Sequence, residues 1–455
     1  MLSTKSPHAV YTPSITAEFA KIGHSQHLKQ NYSFHERDLN FLDPNSSLFH
    51  YPYALYSAGQ AAKNDSAAKH TSSVSARDKS KTTIIGDSGG FQIQQGTIEF
   101  TGDETCERML RWLEGHADFA MSLDFPTGGI SPGNLVAHVA RLIADGHPLQ
   151  AQSAANGLSM DFNACLMQSL LNLNYFFQHR APGATTNFLN VLQGRTERES
   201  KVWYDAVKGY RLEGWAFAGA HQSAFSMTMA RLLDMYDDGL LQNARWIHFL
   251  GISTLEPAYL FTTILRCLRR FNSDIGISFD TSSPFLSAAN FNMYVSFRFD
   301  KYGCALTPLP FAEHARTDDH RTINEMARDL AREVTIKRAG IPEFSFTPLP
   351  VATAIGSKVT VAEICEIRDG KLRVTTDGVW ILMNHNVEVF KRAFEALNRS
   401  FDENPLDDDM PVHVRAAKVA IEKIFEERVS KGTIAARDLL RECTTVLDVF
   451  AELRN

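Results

Sequence analysis

Short apolar or alternating runs recur along the chain, separated by longer amphipathic stretches. The runs predict strands near 51–56, 83–86, 119–123, 187–192, 215–218, 246–251, 276–279 and 293–298. Between them, helical spacing of apolar positions falls on 104–115, 134–145, 160–180, 197–212, 224–240 and 256–272. Strand–helix alternation of this kind favours an α/β fold with a parallel sheet. Eight such runs in 455 residues point to a (β/α)8 TIM barrel. A doubly wound open sheet competes, because periodicity does not report strand order.

The remaining segments read differently. Residues 57–82 are rich in Ala, Ser, Lys and Asp and predict a mobile loop or a weak surface helix. Residues 310–345 are polar, with helical spacing around 320–338. A β-like stretch over 358–376 carries Asp369-Gly370, a hairpin-turn pair. From 386 the pattern is helical to the end, with 404–409 as a solvated loop. The expected division is a barrel over 1–305 and a mixed, mainly helical C-terminal extension over 306–455.

Composition narrows the class. A hydrophobic share of 44% and a charged share of 22% are ordinary for a globular protein. No apolar run approaches the roughly 20 residues that span a bilayer, and the first residues hold no apolar signal segment. The expectation is a cytoplasmic protein with no membrane partner. A net charge of −6 gives no global attraction to nucleic acid, although a local basic groove remains compatible with it. Cys106, Cys165, Cys267, Cys304, Cys365 and Cys443 form no C-x-C or C-x-x-C pair. They suggest buried free thiols for the most part, not a disulfide framework or a cysteine-rich zinc site. No phosphate-binding glycine loop or H-E-x-x-H motif is present.

The candidate chemistry lies just after the apolar runs, where a barrel opens its active site. Asp87, Ser88, Gly89, Phe91 and Gln92 follow the second run. Asp124 follows the third, Gln193 and Gly194 the fourth, Gly219 and Ala220 the fifth, Leu250 and Gly251 the sixth and Asp280 the seventh. Each aspartate alone could be a helix cap or turn former. Two carboxylates acting together permit retaining glycosyl transfer, one attacking carbon and one moving the proton. Asp124, Gln193 and a backbone N–H at Gly219 suit the donor and acceptor edge of a guanine-like base. Phe91, with Leu250 or Ile252 on the other face, could sandwich its ring.

Asp87-Ser88-Gly89-Gly90-Phe91-Gln92 resembles the base-binding motif of the tRNA-guanine transglycosylases. Met121-Ser-Leu-Asp124, Val191-Leu-Gln193-Gly194, Trp215-Ala-Phe-Ala-Gly219-Ala220, Phe249-Leu-Gly251-Ile252 and Phe279-Asp280 with Pro284 are similar, in the same order, to later motifs of that family. Asn384-His385-Asn386 is similar to its C-terminal His-Asn element. The resemblance implies a TIM barrel in which Asp280 is the nucleophile and Asp87 the general acid/base. Asp124, Gln193 and Gly219 would read the base, and Phe91 would stack on it.

The chain departs from that family in two places. Only Cys304, with His314 and His320 nearby, stands where the family's zinc ligands would be. Pro284–Asn290 lacks the arginines expected after the nucleophile. The closer resemblance is therefore to the divergent, zinc-less branch that exchanges guanine in DNA for a 7-deazaguanine such as preQ0. It implies no cofactor, and as partners a nucleic acid (DNA before tRNA), a 7-deazapurine base and, as an option, a second copy of the chain. The alternatives are a transglycosylase acting on tRNA, a non-catalytic nucleic-acid-binding paralogue and an unrelated barrel glycosidase.

Overall fold

The computed structural model describes residues 6–127, 139–140, 142–148, 151–152, 161–333 and 349–452. Eight parallel strands form its centre: β1 Val10–Pro13, β2 Tyr53–Ser57, β3 Thr83–Asp87, β4 Phe119–Met121, β5 Asn187–Leu192, β6 Gly214–Phe217, β7 Trp246–Phe249 and β8 Gly276–Thr281. They follow one another around the sheet in chain order, and β8 pairs with β1. A parallel bridge between Ser14 and Leu55 joins the β1 and β2 sides, with the Ile15 N–H donating to the Leu55 carbonyl at 2.9 Å. The sheet is thus a nearly closed (β/α)8 barrel, and the open-sheet alternative falls.

The strand count was right for a wrong reason. Val10–Pro13, the first barrel strand, lies outside every predicted run. The run predicted at 293–298 is not in the barrel. It belongs to β9, Asn292–Asp300, which pairs antiparallel with β10, Gly303–Pro310, and with β11, Leu349–Pro350, in a separate sheet.

Alternation along the strands sends one set of side chains inward. Leu55, Ile85, Phe119, Met121, Leu189, Val191, Ala216 and Trp246 form a compact cluster within the barrel. The Trp246 ring stacks on Phe119 with centroids 4.5 Å apart. A Cβ on Gly276 would fall 2.3 Å from that indole, so the neighbouring strand leaves the space open with a glycine.

Helices Asp103–His116, Phe162–His179, Glu197–Val207, Phe225–Asp237 and Leu255–Leu268 cover the outside, close to their predicted positions. The helix predicted at 134–145 lies largely outside the described residues. Between β1 and β2 there are only short turns, Ala17–Ala20 and Glu36–Leu39. The long helix Thr376–Glu403 covers that side instead. Its Phe394 packs 4.9 Å from the rings of both Tyr11 and Phe279, which carry β1 and β8.

Val412–Ser430, Thr433–Glu442 and Thr444–Glu452 complete a mainly helical C-terminal extension. The predicted hairpin is β12, Cys365–Arg368, paired with β13, Lys371–Val374, through Asp369 and Gly370, both at positive φ.

Three expectations need correction. Residues 57–82 hold the short helical turns Ala58–Ala61 and Ala67–Lys69, in line with a weak surface helix, but the later part is anchored, not mobile: Val74 is fully buried and the Arg77 guanidinium meets Asp118 at 2.6 Å. The 404–409 loop is not simply solvated, since buried Asp407 accepts from Tyr259 and from Lys418. Among the cysteines, all free, Cys304, Cys365 and Cys443 are only partly buried. Among the described residues, no helix is long and apolar enough to cross a membrane.

Candidate functional site

The C-terminal ends of the barrel strands open into a cavity of about 700 Å3, within the usual range for a small-molecule site. Asp87, Phe91, Gln92, Asp124, Gln193, Gly219, Ala220, Leu250, Gly251 and Asp280 all line it. Ser88, Gly89 and Gly194 do not. Gly89 has φ +94 and makes the sharp turn from β3 into the short helix Gly90–Gln94. Gly90 packs so closely under the next strand end that an added Cβ would lie 2.0 Å from the Asp124 carbonyl oxygen. The glycine pair therefore holds Asp87 and Asp124 side by side.

Asp87 ends β3. Its carboxyl is held above the usual carboxylate range by burial, with the negative charge of Asp280 acting in the same direction. Hydrogen bonds from Ser57 and from the Gly89 backbone act against that rise. Ser57 also reaches the amide oxygen of Gln92 at 3.2 Å. The shift favours the protonated form, the form a general acid needs.

Asp124 is pushed up to about 7 by burial, with Asp87 adding to the shift and the Gln193 bond opposing it. Gln193 Nε2 donates to Asp124 Oδ2 at 2.8 Å. The other end of that amide, Oε1, is buried and has no hydrogen-bond partner among the described residues. An orphaned buried acceptor beside an acceptor carboxylate suits a ligand edge that presents several N–H groups.

Asp280 lies on β8, level with Thr12 of β1. Its Oδ1 accepts from the Gly251 N–H at 2.9 Å and faces His248 Nε2 at 3.3 Å. Gly251 follows β7 and adopts φ +70, the left-handed region that favours glycine. Of the two residues expected to cover a ring, Leu250 lines the cavity, whereas Ile252 is fully buried and does not. Phe91 is 51% exposed at the rim and Leu286 is 52% exposed, two apolar groups open to a flat ligand or polymer.

Sequence reasoning missed several wall residues. Ser14 and Thr16 follow β1, the strand that was not foreseen. Ser57 and Arg195 follow strands that were foreseen, and position after a strand end was the available signal. His248 and Ser278 were also passed over. Their signal was a polar residue at an inward position of an otherwise apolar strand.

Asn384, His385 and Asn386 do not line the cavity; Asn384 donates to the Leu39 carbonyl at 3.0 Å, and the other two work as clamps. Asn386 accepts from the Tyr294 N–H at 2.9 Å and donates to the carbonyls of Pro284 and Asn292, each at 3.1 Å. His385 is fully buried between Thr353 and the Tyr294 carbonyl, and burial depresses its imidazole to about 4. Together they pin the segment that follows Asp280.

The zinc site of the resembling family needs three thiolates and an imidazole. Cys304 lies on β10, and among the described residues no group of three or more histidines, cysteines or carboxylates could hold a metal. The residues present do not fit that site.

No family model matches the chain, and no curated protein matches it.

Proposed function

We propose that the protein is a base-exchange transglycosylase that replaces guanine in a polynucleotide, DNA in preference to tRNA, with a 7-deazaguanine such as preQ0. The observation that carries the reading is one cavity holding two roles: the carboxylates Asp87 and Asp280, and the Asp124–Gln193 pair. The first pair suits transfer at a glycosidic carbon; the second suits the edge of a guanine-like base.

In this reading Asp280 attacks C1′ of the target nucleotide. The bond from its oxygen to C1′ forms, the bond from C1′ to the base nitrogen breaks, and the electron pair leaves with the base. The proton on Asp87 neutralises the departing base. The incoming base then gives its N–H proton to the Asp87 carboxylate and attacks C1′ with the freed pair. The C1′–oxygen bond breaks, and Asp280 is regenerated as a carboxylate. Water must be excluded while the ester exists, and a base filling the cavity would do this. The target base must leave its stack to reach the barrel mouth, so a flipped or single-stranded nucleotide is the expected substrate.

The test is incorporation of labelled guanine or preQ0 into DNA and, separately, into unmodified tRNA. Label entering DNA supports the whole reading. Label entering tRNA alone supports base exchange and corrects the polymer. No label in either, with folded protein, overturns it.

A further inference from the structure

A line of polar groups runs up the barrel interior beneath Asp280. The Trp246 indole N–H donates to Ser278 Oγ at 2.7 Å. Ser278 Oγ lies 2.7 Å from His248 Nδ1, and His248 Nε2 lies 3.3 Å from Asp280 Oδ1. Pairing of β7 with β8 sets His248 level with Ser278. Both are fully buried.

Hydrogen counting fixes the state of the ring. An indole N–H can only donate, so Ser278 Oγ accepts there. The serine hydroxyl has one hydrogen to place, and among the described residues its only other partner is His248 Nδ1. That nitrogen must accept, which puts the ring hydrogen on Nε2, facing Asp280. A protonated ring would add its Nδ1–H to the Trp246 N–H as a second donor on a buried hydroxyl whose own hydrogen then has no acceptor, a cost of about 1–3 kcal/mol.

We infer that His248 is a positioning residue for Asp280: a neutral imidazole that, with the Gly251 N–H, holds Oδ1 and leaves Oδ2 as the oxygen that bonds to carbon. This rests on the base-exchange reading above. Both donors converge on Oδ1, and among the described residues none reaches Oδ2. In the ester, Oδ1 becomes the carbonyl oxygen and keeps both donors. When the incoming base breaks the C1′–Oδ2 bond, the returning charge spreads onto Oδ1, where the two N–H groups already point. His248 therefore acts on both halves of the reaction without touching the base.

Ring nitrogens of histidine-labelled full-length protein report the tautomer directly, with His248 assigned by its loss in His248→Gln. An unprotonated Nδ1 and a protonated Nε2 are expected; a doubly protonated ring or the opposite tautomer overturns the inference. Ser278→Ala should change the ring signals, and unchanged signals count against the relay. Covalent adduct is then followed with a guanine-containing single-stranded DNA oligonucleotide and with unmodified tRNA.

His248→Gln, which keeps a donor at the Nε2 position, should retain adduct formation and release. His248→Leu should slow both by about tenfold or more, with guanine affinity unchanged. Wild-type rates in His248→Leu would overturn the inference. No adduct in the wild type would instead remove the base-exchange reading, while the ring spectrum still decides the tautomer.

Discussion

Gln193 donates through Nε2 to Asp124 Oδ2 at 2.8 Å, and this single bond decides which way its amide faces. The NH2 group must meet the carboxylate, so Oε1 is left as the buried acceptor without a partner. A ligand with N–H groups would satisfy it. Gln193→Leu should weaken guanine binding by about 1–3 kcal/mol, or roughly 5- to 150-fold. Calorimetric titration of guanine checks this; unchanged affinity would place the base elsewhere.

Asp124 gives stability a pH dependence of known sign. Its ordinary value is 3.8, and burial lifts it to about 7 in the folded chain. Below the lower value both states carry the proton. Between the two the unfolded chain loses it first, so stability falls as pH rises through this window and levels off above it. Asp124→Asn has no proton to lose. Its unfolding free energy, followed by denaturant titration, should gain on wild type from about pH 4 to about pH 7, by on the order of a few kcal/mol, and then stay level. A difference that is flat across the window would show that Asp124 is not buried as described.

The two catalytic candidates should fail differently. Asp280→Asn removes the attacking carboxylate, so neither exchange nor a trapped adduct is expected. Asp87→Asn keeps the nucleophile and loses the proton carrier, so exchange should fall by about 10²–10⁴-fold while guanine still binds. Gel-shift trapping with DNA and tRNA, beside label exchange, separates them. Full activity in Asp280→Asn would end the proposed mechanism.

Gly90 should tolerate no side chain. A Cβ there would fall 2.0 Å from the Asp124 carbonyl oxygen, a backbone atom that cannot rotate away. Gly90→Ala should cost about 1–3 kcal/mol of stability. It should also separate Asp87 from Asp124, visible as weaker guanine binding. A variant with wild-type melting and binding would contradict the packing.

Asn386 lies in the helix Thr376–Glu403, outside the barrel, yet its substitution should reach the site. Removing its side chain strips the Tyr294 N–H and the carbonyls of Pro284 and Asn292 of their bonds. Asn386→Ala should lose about 1–3 kcal/mol in denaturant unfolding. Because the same bonds hold the segment behind Asp280, adduct formation should slow more than guanine binding weakens.

What was legible in the chain followed from local rules. Short apolar or alternating runs marked seven of the barrel strands, since parallel strands covered on both faces read as short hydrophobic segments. Asp369-Gly370 marked a hairpin because few residue pairs accept two positive φ angles. Polar residues after strand ends marked most of the cavity wall, because parallel strands in a barrel end on one face.

Other features depended on contacts distant in sequence. Val10–Pro13 is a strand only because β8 and the Leu55 region flank it. Asn292–Asp300 has strand periodicity but lies outside the barrel, since eight strands already close the ring. His248 and Ser278 are ordinary residues in their own segments, 30 positions apart, and become a relay only when β7 and β8 pair in register. Alternation and turn chemistry are written into neighbouring residues; closure, shared cavities and the hydrogen count of a buried chain arise only when remote segments exclude water together.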